Sequence, residues 1–174
     1  LVFVDSTQGW LVTDSGLQDE APTAQYVTAT GGTITCSGNF RIHTFTGPGT
    51  FCVSAVGNSA GSTLVDYLVV GSGAAGGCNG GGGGAGGFRE SPGTASGSYS
   101  VSPLGAAPAV SLPVSITGFP ITVGAGGVSF FPGNCAPGAQ GSVSTFSTIT
   151  SAGGGAGNGQ GMTCAAKGDG GSGG

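Results

Sequence analysis

The side chains that could do chemistry are few and lie far apart in this chain of 174 residues. One nucleophile and one base come together if residues 40–56 form a hairpin, because His43 then lies opposite Cys52. A catalytic pair also needs a group that orients the base and a site for the oxyanion, and neither lies nearby in the sequence. We therefore interpret the two residues as a cross-strand pair on a partly covered sheet face.

The cysteines predict neither a metal site nor a complete set of disulfides. There are five, an odd number, and their spacings match no zinc signature. We interpret most of them as small buried thiols, with a disulfide as the alternative. The predicted hairpin separates Cys36 from Cys52 by a turn and a strand, so we expect no disulfide between them. The sequence predicts no cofactor.

Two further patterns suggest a nucleotide-binding or catalytic site, but the residues around them do not support either site. Residues 71–76 fit GxGxxG, but the dinucleotide fingerprint also needs a helix that starts there, and a run of glycines cannot start one. A glycan depolymerase needs paired carboxylates. Asp19 and Glu20 are adjacent in a turn-like stretch, whereas Asp66 and Glu90 are isolated. We predict that the protein is not an enzyme and has no catalytic residues.

The amino-acid composition argues against helical, nucleic-acid-binding and membrane-spanning proteins. Glycine supplies 41 residues, and each glycine inside a helix costs about 1 kcal/mol relative to alanine, so negligible helix is expected. Charged residues make up 6 %, against about 25 % in an average globular protein. Three basic residues are too few to bind a nucleic acid backbone. No apolar run reaches the roughly 18 residues of a membrane span, so we predict no membrane insertion. Because the first residue is not Met, we expect the protein to continue beyond this chain.

The N-terminal part, residues 1–63, is predicted to be an antiparallel β-module, with 1–24 as a candidate connector. Residues 40–45 and 50–56 alternate in hydrophobicity on either side of a Gly-Pro-Gly turn. This pattern predicts one hairpin with Ile42 and Val53 facing inward.

Residues 64–174 are predicted to be a glycine-rich domain in which strands bracket glycine tracts. Residues 64–70 are apolar on both faces, which predicts a central strand. Further strands are expected at 110–117, 118–123 and 142–149, and Pro113 restricts the first of these to an edge or a bulge.

The glycine tracts have three possible explanations: a flexible linker, a phosphate-binding loop, or ordered polyglycine. The tracts alternate with good strands, which disfavours a linker. Polyglycine II is an extended threefold helix that rises about 3.1 Å per residue and makes no internal hydrogen bonds. Its buried backbone groups must bond to neighbouring helices. We therefore predict all-β architecture with polyglycine II helices anchored by the strands.

One loop interrupts the glycine-rich pattern and is the candidate for recognition or subunit contact. It spans residues 128–138 and contains Phe130, Phe131, Pro132 and Asn134. Adjacent aromatic residues of a regular strand point to opposite faces, so one should be exposed or buried against a partner. The alternatives are packing under their own loop, a subunit contact or a contact with a host receptor.

Several segments, in this order, resemble glycine-rich tail-fibre and adhesin proteins of bacteriophages. They are IHTFTGPGTF at 42–51, VDYLVVG at 65–71, GAGGFR at 84–89, ITVGAGG at 121–127 and STITSAGGG at 147–155. The resemblance implies a virion protein of a tail or fibre that assembles in the host cytoplasm. It also implies a homotrimer or attachment to other virion proteins, and binding to a host cell-surface glycan or protein.

Backbone chemistry also favours assembly. Edge strands and bare glycine tracts leave backbone groups unpaired in a monomer. A carbohydrate-binding module that uses Trp10 or Tyr26 as a stacking platform is one alternative function. A glycine-rich structural wall protein is another.

Overall fold

The computed structural model describes residues 2–5, 9–11, 23–93, 110–129, 136–160 and 169–171, the first two ranges by their backbone alone. The predicted all-β class is confirmed, since the described part contains 36 % strand and no helix. The strands are β1 (Val2–Asp5), β2 (Gly9–Leu11), β3 (Thr28–Thr30), β4 (Thr33–Ser37), β5 (Phe40–Thr44), β6 (Gly49–Ala55), β7 (Leu64–Val65), β8 (Leu68–Val70), β9 (Phe88–Glu90), β10 (Leu112–Pro113), β11 (Gly118–Thr122), β12 (Ser144–Phe146) and β13 (Ile149–Ser151).

The largest sheet has five antiparallel strands in the order β13-β12-β11-β6-β3. It joins strands from both sides of the predicted boundary at residues 63 and 64. Its longest strand, β6, shows the predicted alternation, because Phe51 and Val53 are buried whereas Cys52 and Ser54 are exposed. The inward side chains of this sheet therefore form one face of the core.

Aromatic rings fill that core. Phe51 lies opposite Phe119 on β11, and its ring meets Phe146 edge to face with centroids 5.9 Å apart. Tyr67 approaches Phe146 from a neighbouring segment at 6.3 Å. Such edge-to-face contacts place the positive ring edge on the negative ring face and add about 0.5–1.5 kcal/mol each.

The predicted hairpin of residues 40–45 and 50–56 is wrong. β5 pairs with β4 in a separate two-stranded sheet, while both edges of β6 are occupied by β3 and β11. Ile42 consequently lies opposite Thr35 and is 43 % exposed, not inward. The alternation of apolar residues defines the faces of a strand but not its neighbours, and the nearer turn at Gly38 closes a shorter hairpin.

The predicted pairing of His43 with Cys52 is also wrong. His43 lies opposite Ile34. Its ring packs edge to face with the ring of Phe51, and the two ring centroids are 5.0 Å apart. Its Nδ1 lies 2.8 Å from the carbonyl oxygen of Gly31. The imidazole thus holds the small β4–β5 sheet against the large one.

Three other strand predictions need correction. Residues 64–70 form two short strands, β7 and β8, in different sheets, and Leu68 is 64 % exposed. Residues 142–149 bend into the β12–β13 hairpin, with Ser147 at a φ of 55° in its turn. Of residues 110–117 only β10 is a strand, and it pairs with β7 alone, which leaves Pro113 on an edge strand as predicted.

Five extended glycine-rich segments pack beside the sheets. We call them segment I (71–78), segment II (81–87), segment III (124–129), segment IV (136–142) and segment V (152–160). None of the described glycines in these segments has a left-handed φ. None of the five segments forms a regular strand. Segment I runs antiparallel to segments II and IV and parallel to segment V.

Hydrogen bonds between the segments repeat every third residue. In segment I the N–H groups of Gly71, Ala74 and Gly77 donate to segment II. The next residues in each triplet, Ser72, Ala75 and Cys78, donate to segment IV. Three residues per turn and purely lateral bonding are the properties of polyglycine II, so the predicted ordered polyglycine accounts for these tracts.

Segment V is the most deeply buried segment of the bundle. It accepts hydrogen bonds from segments II and IV and donates to segment I through residues 154, 157 and 160. Residues 153–157 are all buried. At Gly157 an added Cβ would collide with the backbone of segments I and II, whereas the neighbouring Ala156 accommodates its methyl group while remaining 1 % exposed. The close approach of backbones therefore requires glycine at particular positions of the tract.

Candidate functional site

The predicted recognition loop connects segment III to segment IV of the polyglycine bundle. Phe130, Phe131, Pro132 and Asn134 all lie outside the described residues. The residues on either side are described, and they belong to one end of the polyglycine bundle. Val128 is the first residue of the loop, is 63 % exposed, and accepts a hydrogen bond from Ala139.

Three chain connections leave the bundle at this same end. Cys78 ends segment I, Ala136 begins segment IV and Gln160 ends segment V. The N–H of Cys78 donates to the carbonyl oxygen of Ala136, and the N–H of Gln160 donates to that of Cys78. These contacts place all three termini at one level. The bundle thus brings together three segment ends that are far apart in sequence, and we call this end of the bundle the distal end.

A groove of about 420 Å³ lies elsewhere, beside the β8–β9 sheet. It is lined by Tyr67, whose ring also packs on Phe146 of the core, by the charged residues Arg89 and Glu90, and by Thr148 and Thr150. Arg89 is fixed by a hydrogen bond from its Nε to the carbonyl oxygen of Thr150, at 3.2 Å. An aromatic ring beside charged and hydroxyl groups can stack on the apolar face of a sugar and bond to its hydroxyls.

Asp66 holds the wall of this groove. Its Oδ1 accepts hydrogen bonds of 2.8 Å from the hydroxyls of both Ser91 and Ser111. Ser91 is fully buried, and its hydroxyl also lies 3.1 Å from the backbone N–H of Tyr67. The carboxylate therefore joins Ser91, directly after β9, to Ser111, directly before β10.

No cysteine lies opposite His43 in the described sheets, since its cross-strand neighbour is Ile34. Cys36 and Cys52 are exposed free thiols, and Cys78 is a half-buried one, so the interpretation as buried thiols is wrong for the first two. The described residues contain no group of three or more side chains that could hold a metal ion. Tyr26, one of the two candidate stacking platforms, is 66 % exposed and lies outside the groove, and only the backbone of Trp10 is described.

Comparison with known proteins identifies a family. A family model described as a glycine-rich domain matches residues 46–174. The chain belongs to this glycine-rich domain family. The matched region begins just before β6 and includes the whole polyglycine bundle. No curated protein and no solved structure matches the chain. Within the residues that the structure describes, no helix is long and apolar enough to span a membrane.

Sequence analysis missed the groove because its parts come from distant segments. Tyr67, Arg89 and Thr150 are far apart in the chain and meet only after β8, β9 and β13 have folded together. One signal was available: charged residues are rare here, and Arg89 and Glu90 are consecutive. The β4–β5 hairpin also had a signal, since Gly38-Asn39 is a recognised two-residue hairpin turn.

Proposed function

We propose that this protein is a structural component of a phage tail fibre or adhesin, in which a rigid polyglycine bundle presents loops for attachment to the host surface. The observation that carries the proposal is the convergence of three connections at the distal end of the bundle. Binding residues concentrate on loops held by a rigid scaffold. The ordered series of segments that resemble phage tail-fibre and adhesin proteins supports the same role.

Rigidity in this bundle comes from the backbone. Segment V is hydrogen bonded to segments I, II and IV, so the strands and glycine tracts form one cross-linked unit. Lateral hydrogen bonds of this kind need no large apolar side chains, which suits a chain with only 7 % aromatic residues. In this role we expect the protein to act as a homotrimer or bound to other virion proteins, and to contact a host glycan or protein.

Immunogold electron microscopy of purified virions tests the proposal. An antibody raised against the chain should label tails or fibres, and the purified chain should compete with intact particles for adsorption to host cells. Labelling of host cell walls with no labelling of virions would overturn it and support a structural wall protein.

The distal end can be tested separately by changing the predicted loop. Replacing Phe130 and Phe131 with serine should abolish competition for adsorption if these residues bind the receptor. Lost assembly with normal folding would assign them to a subunit contact, and lost folding would assign them to the core. Full activity in all three assays would remove the loop from the proposed function.

A second candidate function, carbohydrate binding, is favoured by the groove at Tyr67. Titration calorimetry against a panel of neutral and acidic oligosaccharides tests it. Tyr67→Ala should abolish binding, Tyr67→Phe should retain it through stacking, and Tyr26→Ala is the matched control outside the groove. Equal binding by the Tyr67→Ala and Tyr26→Ala variants would exclude this groove as the site.

A further inference from the structure

The polyglycine bundle is incomplete on one side of segment I. Four segments surround segment I in the order II, V, IV, III, because II is hydrogen bonded to V, V to IV, and IV to III. No described bond closes the ring between segments III and II. The described residues therefore leave an open side along segment I, which we call the open face.

Unpaired donors point to this open face. Successive residues of a threefold helix are rotated by about 120°, so the N–H groups of segment I fall into three directions. Two directions are used, toward segments II and IV. The third belongs to Gly73 and Gly76, and neither N–H has a partner among the described residues. Both glycines are exposed.

At two positions of the open face, Gly73 and Gly126, glycine is not required by the packing that the structure describes, whereas a Cβ on Gly76 would lie 3.2 Å from the carbonyl oxygen of Gly81. A Cβ on Gly73 would meet only the carbonyl oxygen of Gly84, at 3.8 Å, which is an ordinary contact. The same holds for Gly126 on segment III, whose nearest atom would be the carbonyl oxygen of Gly73 at 3.8 Å. Each glycine raises the conformational entropy of the unfolded chain, so an alanine would fold at lower cost at these positions. Without side chains, these positions allow the backbone of another chain to approach as closely as the segments of the bundle approach one another.

We propose that the open face binds a polyglycine segment of a second copy of this chain. The incoming segment would accept hydrogen bonds from Gly73 and Gly76 and extend the packing of the bundle across the interface. Only a helix without side chains on its contact side can approach bare backbone this closely, and this chain supplies such helices itself. The assignment rests on the backbone geometry and holds whether or not the protein belongs to a virion.

Analytical ultracentrifugation over a concentration series tests the proposal with three variants. Wild-type protein should associate reversibly, and Gly73→Ala and Gly126→Ala should each raise the dissociation constant more than about tenfold. Gly82→Ala is the matched control, because a Cβ there would meet no atom within 4 Å. All three variants should retain the wild-type melting temperature to within a few degrees.

Hydrogen exchange gives the second readout. The amides of Gly73 and Gly76 should exchange rapidly in dilute monomer and become protected as the protein associates. Protection in the monomer would mean that the chain covers its own open face. That result would overturn the proposal, as would a wild-type protein that stays monomeric up to about 1 mM. Unchanged association of the Gly73→Ala variant, or its failure to fold, would also overturn it.

Discussion

Replacing Gly157 with alanine is the sharpest test of the polyglycine packing. The new Cβ would lie 2.7 Å from the carbonyl oxygen of Gly82 and 2.8 Å from the nitrogen of Gly77, closer than real Cβ contacts. These obstacles are backbone atoms of two different segments, so no side chain can move aside. Gly157 also donates to Ala75 at 3.0 Å and accepts from Gly138 at 2.9 Å.

The expected loss of stability follows from these contacts. Overpacking costs about 1–3 kcal/mol, and weakening two hydrogen bonds adds about 1 kcal/mol each. Gly157→Ala should therefore lower the free energy of unfolding by about 3–5 kcal/mol, a large part of the 5–15 kcal/mol that a typical domain has.

Equilibrium urea denaturation, followed by circular dichroism, measures this loss. Gly82→Ala serves as the control, since it makes the same chemical change on segment II in open space and should alter stability by less than about 1 kcal/mol. Equal stability of the two variants would refute the claim that close backbone packing holds the bundle together.

Three further results are expected. Asp66→Ala should lower stability by about 1–3 kcal/mol, because it removes the carboxylate that accepts hydrogen bonds from Ser91 and Ser111. Asp66→Asn should lower it less, and thermal melts compare the two variants. Ser151→Ala should leave stability unchanged or raise it by up to about 1 kcal/mol, because its buried hydroxyl has no hydrogen-bond partner within the described residues. A decrease of more than about 1 kcal/mol in the free energy of unfolding, measured by urea titration, would contradict this. Native mass spectrometry after maleimide treatment should show rapid labelling of Cys36 and Cys52, whereas a mapped bridge between them would contradict the structure.

Composition and local pattern determined the fold class and the state of the glycine tracts. A chain with 41 glycines among 174 residues and alternating apolar residues cannot form stable helices. The alternation in residues 50–56 correctly predicted that Phe51 and Val53 face the core. Glycine tracts bracketed by strands also indicated ordered polyglycine, because buried backbone groups must find lateral partners.

Only the tertiary structure decided which elements are neighbours. The sequence pattern of β5 and β6 fits a shared hairpin, yet β6 has both edges filled by β3 and β11 and β5 turns back on β4. The same holds for the bundle, where period-three bonding is a local property but the order of the segments around segment I is not. Long-range pairing depends on which edges remain open once the whole chain has folded, and that information is absent from any single segment. For that reason the groove at Tyr67 and the open face at Gly73, which are formed by segments distant in sequence, could not be predicted from the sequence.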